Sequence, residues 1–298
     1  EGIPELFRLH DRAGRDFLLA MTHEETVTFH FAELGSYRDL PKLLYHFQTK
    51  GRDEPRPRGG LLRVREFVMK DSYSFDRDEE GLDASFQRHA SAYERVFERC
   101  ELQVYAVQAE SGMMGGSESI DYLAPSGAGE NTLVTCAHGD YAADLEIARG
   151  IPRAPSFPER LDQTAEVATP GIATIEELAG FLGIDTAATC KAMPVTREDG
   201  TVVLALVRGD DRLEEAKLAA ALGAPFTLST EEEIRAAFHA DPGSLGPVGF
   251  DGDIVADEVL RDGQFVTGAN RTGWHLRGVE HGRDYTARFA DIRQPQDG

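Results

Sequence analysis

The runs LLYHFQTKGRDE (43–54) and GLLRVREFVMKDSYSF (60–75) both have the composition of long extended segments, and PRPRGG (55–60) stands at their junction. Proline lacks the amide proton that a ladder needs, and glycine opens backbone angles closed to other residues, so neither run can continue through that point. The arrangement predicts two antiparallel strands joined by a loop. Around them, FRLHD and DFLLAMT read as strands flanking the turn Asp11-Arg12-Ala13-Gly14, and residues 24–34 read as a helix. A longer helix is expected over 79–100, with Leu82, Phe86, Tyr93, Val96 and Phe97 at near-helical spacing.

On the expected strands, Arg52 and Glu54 are two residues apart and share a face, as do Arg63 and Arg65 on the return. Two readings fit. A solvated hairpin face is one, because charged side chains favour water. A nucleotide site is the other, because guanidinium groups make forked hydrogen bonds to phosphate and a neighbouring carboxylate accepts from the amine of a base. The cationic group Arg52, Arg56, Arg58, Arg63 and Arg65 is conspicuous in a chain whose net charge is −21. That acidic balance argues against a protein that coats nucleic acid nonspecifically.

The prolines of IPRAPSFPERLDQ (151–163) mark a boundary. Beyond it, TIEELAGFLGI reads as a helix with a Thr174/Glu177 capping box, TVVLALVRGD as a strand, LEEAKLAAALG as a helix ending at Gly223, and STEEEIRAAFHA as a helix with a Ser/Thr cap. This order indicates a mixed α/β domain of about 120 residues. The terminal ADIRQPQDG reads as polar and unfinished. Cys100, Cys136 and Cys190 form no CxxC pair, and Cys136 with His138 is half of a metal site at best, so no metal is expected. The sequence has no run of about 18 apolar residues and no basic-then-apolar leader, which reads as a cytoplasmic protein with no membrane association.

Several long motifs occur together in a recognisable order. LLAMTHEET (18–26), QTKGRDEPRPRGGLLRVREFVMKDSYSF (48–75) and ESGMMGGSES (110–119) are followed by TPGIATIEELAGFLGI (169–184), TCKAMPV (189–195), GSLGPVG (243–249) and FVTGANRTGWH (265–275). Over nearly its whole length the chain resembles the bacterial-type prolyl-tRNA synthetases, which are class II aminoacyl-tRNA synthetases. The resemblance implies an α+β fold with a partial class II antiparallel-sheet core, including motif 2, over 1–155. An inserted mixed α/β editing domain is implied over 156–286, and a segment returning toward the core over 287–298.

The same resemblance implies ATP, with Mg2+, proline and the tRNA for proline as ligands, and a two-step reaction through prolyl-adenylate. Arg52 would meet the α-phosphate, Glu54 the adenine amine, and Arg63 the nucleotide. Thr22 and Glu24 would hold the proline imino group, and Gly115, Gly116 and Ser117 would line the proline pocket. In the editing domain, which hydrolyses mischarged alanyl-tRNA in this family, Lys191 would hold the terminal adenosine phosphate and His275 would position the substrate. Thr169 with Gly243, Ser244, Leu245, Gly246 and Pro247 would complete the pocket, the loop supplying backbone donors.

In the family, motif 1 with its homodimer interface would precede residue 1 and motif 3 would follow residue 298, so weak proline activation is expected of this span alone. Ala20-Met21, Gly51 and Ile120-Asp121-Tyr122 depart from the family pattern without removing an assigned residue. A deacylase acting mainly through residues 165–285, and a noncatalytic paralogue that binds tRNA or another synthetase, remain the alternative readings.

Overall fold

The computed structural model describes residues 5–33, 35–109, 116, 118–139, 141–152 and 160–296. It has two compact units, one of residues 1–104 with 124–129 and one of residues 105–123 with 130–298.

In the first unit, the Asp11 carboxylate accepts from the amides of Ala13 (2.8 Å) and Arg15 (2.9 Å), and Gly14 takes φ +77°. This Asx-type turn returns β1 (Arg8–His10) antiparallel to β2 (Asp16–Leu18). Helix α1 (Glu24–Phe31) follows. Strands β3 (Lys42–Gly51) and β4 (Glu66–Phe75) pair antiparallel in unbroken register, from Lys42 opposite Phe75 to Gly51 opposite Glu66. The expected hairpin is present, but its strands end before the four charges. Arg52, Glu54, Arg63 and Arg65 lie in the connection, because the Glu54 amide turns back onto the Arg52 carbonyl (2.8 Å) and ends the extension. The period-two argument for a shared strand face therefore does not apply to them.

Helix α2 (Glu79–Arg99) begins at Asp78, whose carboxylate accepts from the Gly81 amide (2.9 Å). It rests on β4 through Ser72, which donates to His89 Nε2 (2.8 Å), while His89 Nδ1 donates to the Ser85 carbonyl (2.8 Å).

The second unit opens with a small sheet of β5 (Tyr105–Gln108), β6 (Ile120–Leu123), β7 (Leu133–Thr135) and β8 (Ala142–Asp144), in the order β6-β5-β8-β7. Then come β9 (Ala165–Ala168) and α3 (Ile175–Leu182), with the Thr174/Glu177 capping box complete and Gly183 left-handed after the last turn. Strands β10 (Cys190–Arg197) and β11 (Val202–Arg208) form an antiparallel pair. Helix α4 (Glu215–Leu222) stops at left-handed Gly223, β12 (Phe226–Leu228) borders β10, and α5 (Glu231–Phe238) carries a second capping box from Thr230 and Glu233. Strands β13 (Ile254–Asp257), β14 (Gln264–Gly268), β15 (Trp274–Glu280) and β16 (Arg288–Ala290) complete the unit.

The result is a mixed five-stranded sheet, β12-β10-β11-β13-β16, and an antiparallel three-stranded sheet, β14-β15-β9. Strand β11 is buried on both faces. Leu204 and Leu206 pack with Phe265, Leu276 and Tyr285, while Val203, Ala205 and Val207 pack with Leu218 and Ile292 on the other side. No described helix is long and apolar enough to cross a membrane.

The terminal segment that reads as polar is anchored instead. Ile292 is fully buried, and its amide donates to Asp257 Oδ2 (3.0 Å), while Arg293 Nη1 donates to Asp257 Oδ1 (2.7 Å). Asp257 is itself fully buried, so removing its cation leaves an uncompensated charge. Arg293→Ala is expected to lower unfolding free energy by about 3 kcal/mol in urea titrations. A loss under about 1 kcal/mol would mean that the backbone amides alone satisfy the carboxylate.

Candidate active sites

In the first unit, the β3–β4 connection is organised around Glu54. Its side chain accepts from Arg63 Nε (2.9 Å) and the Arg56 amide (3.3 Å), and its carbonyl accepts from Arg65 Nε (2.8 Å). The Arg52 amide donates to the Arg65 carbonyl (2.9 Å), and its guanidinium lies 5.1 Å from the centre of the Phe67 ring. Arg52 Nε is buried with no hydrogen-bond partner among the described residues, and so is Glu24 Oε2. A buried donor and a buried acceptor left open in this way can be satisfied by a ligand or by water.

Thr22 and Glu24 stand at the start of α1, both half-buried. Burial, then the Glu24 charge and the Asp71 charge, push the Tyr73 phenol well above its ordinary ionisation range, so it stays a neutral hydroxyl beside them. Gly116 is exposed with φ +106°, whereas Gly115 and Ser117 lie outside the described residues.

The first unit also holds a cluster that no spacing along the chain marks. His23 Nδ1, His46 Nε2 and Asp71 Oδ2 lie within 4.8 Å of one another, a donor set of the kind that holds a divalent cation. Lys50, fully enclosed, places Nζ among them. It is hydrogen-bonded to His23, 2.5 Å from Asp71 Oδ2 and 3.4 Å from His46 Nε2. A cationic side chain thus fills the space a metal would need. Burial works against the Asp71 carboxylate, but hydrogen bonds from Lys50 and His46 and the Lys50 charge hold it below its ordinary range.

In the second unit, Lys191, Gly243, Leu245 and His275 line one cleft of about 200 Å³ together with Ile172, Thr174 and Cys190. Strand β15 carries His275 with Val167 of β9 opposite it, and the Thr169 hydroxyl lies 2.7 Å from His275 Nδ1. Thr169 is wholly enclosed and His275 nearly so. Lys191 sits on β10 in the same lining, but its Nζ donates to the Asp211 carbonyl (2.8 Å).

Ser244, Leu245, Gly246 and Pro247 are all buried. The Gly268 amide donates to the Leu245 carbonyl (3.0 Å), and the Gly273 amide donates to Ser244 Oγ (3.0 Å). The Gly246 amide, expected among the free backbone donors, is already taken by Asn270 Oδ1 (2.8 Å). Asn270, 24 residues away in sequence, is the residue that sequence spacing missed here.

Comparison with known proteins places these sites in a family. The profile of the tRNA synthetase class II core domain (G, H, P, S and T) matches residues 7–208, and that of the aminoacyl-tRNA editing domain matches residues 169–284. The chain belongs to the class II tRNA synthetase core family. It is 42% identical over 292 residues to the proline-tRNA ligase of Thermodesulfovibrio yellowstonii, covering 97% of this chain and 51% of that one. It is 44% identical to the corresponding ligases of Caldicellulosiruptor bescii (97% of this chain, 51% of the relative) and Chromobacterium violaceum (99% and 53%). The chain spans about half the length of the curated relatives it matches.

Burial holds the His275 imidazole below its ordinary value of 6.5. The unfolded chain binds a proton there as pH falls through that value while the folded chain resists it, so this part of the stability exists above pH 6.5 and is lost on acidification. Urea midpoints followed from about pH 8 to about pH 5 should fall less steeply for His275→Gln than for the parent. Parallel curves would show that His275 protonates as readily folded as unfolded.

Proposed function

We propose that the chain is the part of a proline-tRNA ligase that binds ATP and proline through residues 1–155 and hydrolyses mischarged alanyl-tRNA through residues 156–286. The observation that carries the reading is the second-unit cleft, where an enclosed Thr169–His275 pair faces a lysine on β10 within a matched editing domain. A cleft of about 200 Å³ suits a small aminoacyl group. The half-buried Lys191 carries a cation able to meet a terminal phosphate once it leaves the Asp211 carbonyl. Editing is needed because a proline-sized pocket discriminates poorly against a smaller amino acid by packing alone.

For activation, the open Arg52 Nε supports contact with the α-phosphate, and the open Glu24 oxygen supports contact with the secondary ammonium of proline. Glu54 is the acceptor for the adenine amine, held in place by Arg63. Bound Mg2+ would offset phosphate charge. Positioning and charge complementarity by these side chains do the rest, since no protein nucleophile is required. The functional division is 1–155 for activation and 156–286 for deacylation, with 287–298 returning toward the core. The partners are the tRNA for proline and a second copy of the full-length protein, in the cytoplasm.

Deacylation of alanyl-tRNA for proline, run beside proline-dependent pyrophosphate exchange, tests both halves. Lys191→Ala and His275→Ala should each lower the hydrolysis rate on the order of 10²-fold, and Arg52→Ala should leave it unchanged while abolishing any exchange. Hydrolysis without exchange would favour a deacylase working through the second unit. Hydrolysis indifferent to both editing substitutions would remove Lys191 and His275 from the site.

A further inference from the structure

We infer that Asn270 is a positioning residue of the second-unit cleft, its carboxamide setting the 243–247 loop in register with the strand that bears His275. Oδ1 accepts from the Gly246 amide (2.8 Å), while Nδ2 donates to the Gly246 carbonyl (3.0 Å) and the Val248 carbonyl (2.9 Å). The Asn270 main-chain amide donates to the Ser244 carbonyl (2.8 Å). One side chain therefore reproduces both halves of a strand pairing with Gly246 and adds a third bond. The partners also fix the orientation of the amide, since a flip would set NH2 against N–H and oxygen against two carbonyls.

The residue type is closely constrained. Aspartate offers acceptors only and would face two carbonyl oxygens, and alanine would leave three backbone groups of a half-buried loop without partners. The backbone adds a second constraint, because Asn270 has φ +51°, in the left-handed region where asparagine and glycine are tolerated. That conformation reverses the chain between β14 and β15, so the residue that grips the loop also controls the approach to Trp274 and His275.

Asn270 does not line the cleft, whereas Leu245, Gly243 and His275 do. Its effect on the reaction is consequently indirect, through the distance between the loop and the His275 strand. In a cleft this small, a displacement of about 1 Å is enough to cost on the order of 10²-fold in rate. The activity readout rests on the deacylase reading above. The geometric readout does not.

The test uses the full chain with Asn270→Gly, which keeps the left-handed backbone and deletes the carboxamide, and Asn270→Asp, which is nearly isosteric but cannot donate when ionised. Alanyl-tRNA hydrolysis, amide exchange of residues 243–249 and melting temperature are measured for each. Both variants should lose on the order of 10- to 100-fold in kcat with KM within about twofold, and their 244–248 amides should exchange faster. The deficit of Asn270→Asp should shrink on acidification, when its carboxyl regains a donor, while that of Asn270→Gly stays constant relative to the parent.

A kcat within about twofold of the parent for both variants would overturn the inference. So would a loss that merely follows melting temperature with loop exchange unchanged. If the parent chain does not hydrolyse alanyl-tRNA at all, the deacylase reading falls by itself. The exchange data then decide the clamp: faster exchange upholds it, and unchanged exchange overturns it.

Discussion

The second unit depends on one strand that has no polar face. Val203 to Val207 in β11 are all fully buried, with alternate side chains committed to opposite cores, so helices and a second sheet must cover both sides. Strand β10 pairs with β11 along one edge and thereby brings Cys190 and Lys191 to the cleft, and β13 pairs along the other and carries Asp257. The second sheet closes on the Leu204/Leu206 side through Phe265 and Leu276, which delivers β15 and His275. The site's geometry thus follows from where this strand can be covered. A substitution that unseats Leu206 or Phe265 would disturb His275 without touching it.

The first unit is organised differently. Its hairpin of two ten-residue strands leaves Tyr45, Phe47 and Val68 largely exposed, while Lys50 is fully enclosed. Lys50, Asp71, His46 and His23 satisfy one another around the enclosed Lys50 ammonium, and His23 stands between Thr22 and Glu24. Asp71 belongs to β4 and His23 to the approach to α1, so a polar network ties the hairpin to the segment assigned to proline binding. Such networks specify geometry more than they add stability, because desolvation offsets much of the attraction.

Local features were legible in the sequence and long-range ones were not. The Thr174/Glu177 capping box, the Ser/Thr cap ahead of α5, the helix end at Gly223 and the β3–β4 hairpin rest on residues within a few positions of one another, where spacing fixes the physics. The strand ends differ from the expectation because the chain turns back from Glu54 to Arg52 just where the Asp53 amide bonds the Glu5 carbonyl, a segment distant in sequence. The burial of Ile292 and the pairing of Arg293 with Asp257 likewise needed tertiary contacts, in a stretch whose composition is polar. Lys191 and His275 came from family motifs rather than from any pattern of charge. The structure added what those motifs do not encode, namely the Thr169 hydroxyl on His275 and the Asn270 grip on Gly246.

One wall of the cleft is made of main chain. A methyl group on Gly268 would run into the backbone of Ser244 and Leu245, and one on Gly246 would run into the Gly268 carbonyl. Where two peptide segments touch with no side chains between them, the shape of the wall does not vary with the usual exchange of one residue for another. Random mutation there yields disruption or nothing, and gradual retuning of selectivity is confined to the opposite wall, where Ile172, Met193 and Cys190 contribute side chains that can grow or shrink. Laboratory evolution toward a different ligand would accordingly collect its productive changes on β10 and the segment leading into α3 and leave the glycines untouched.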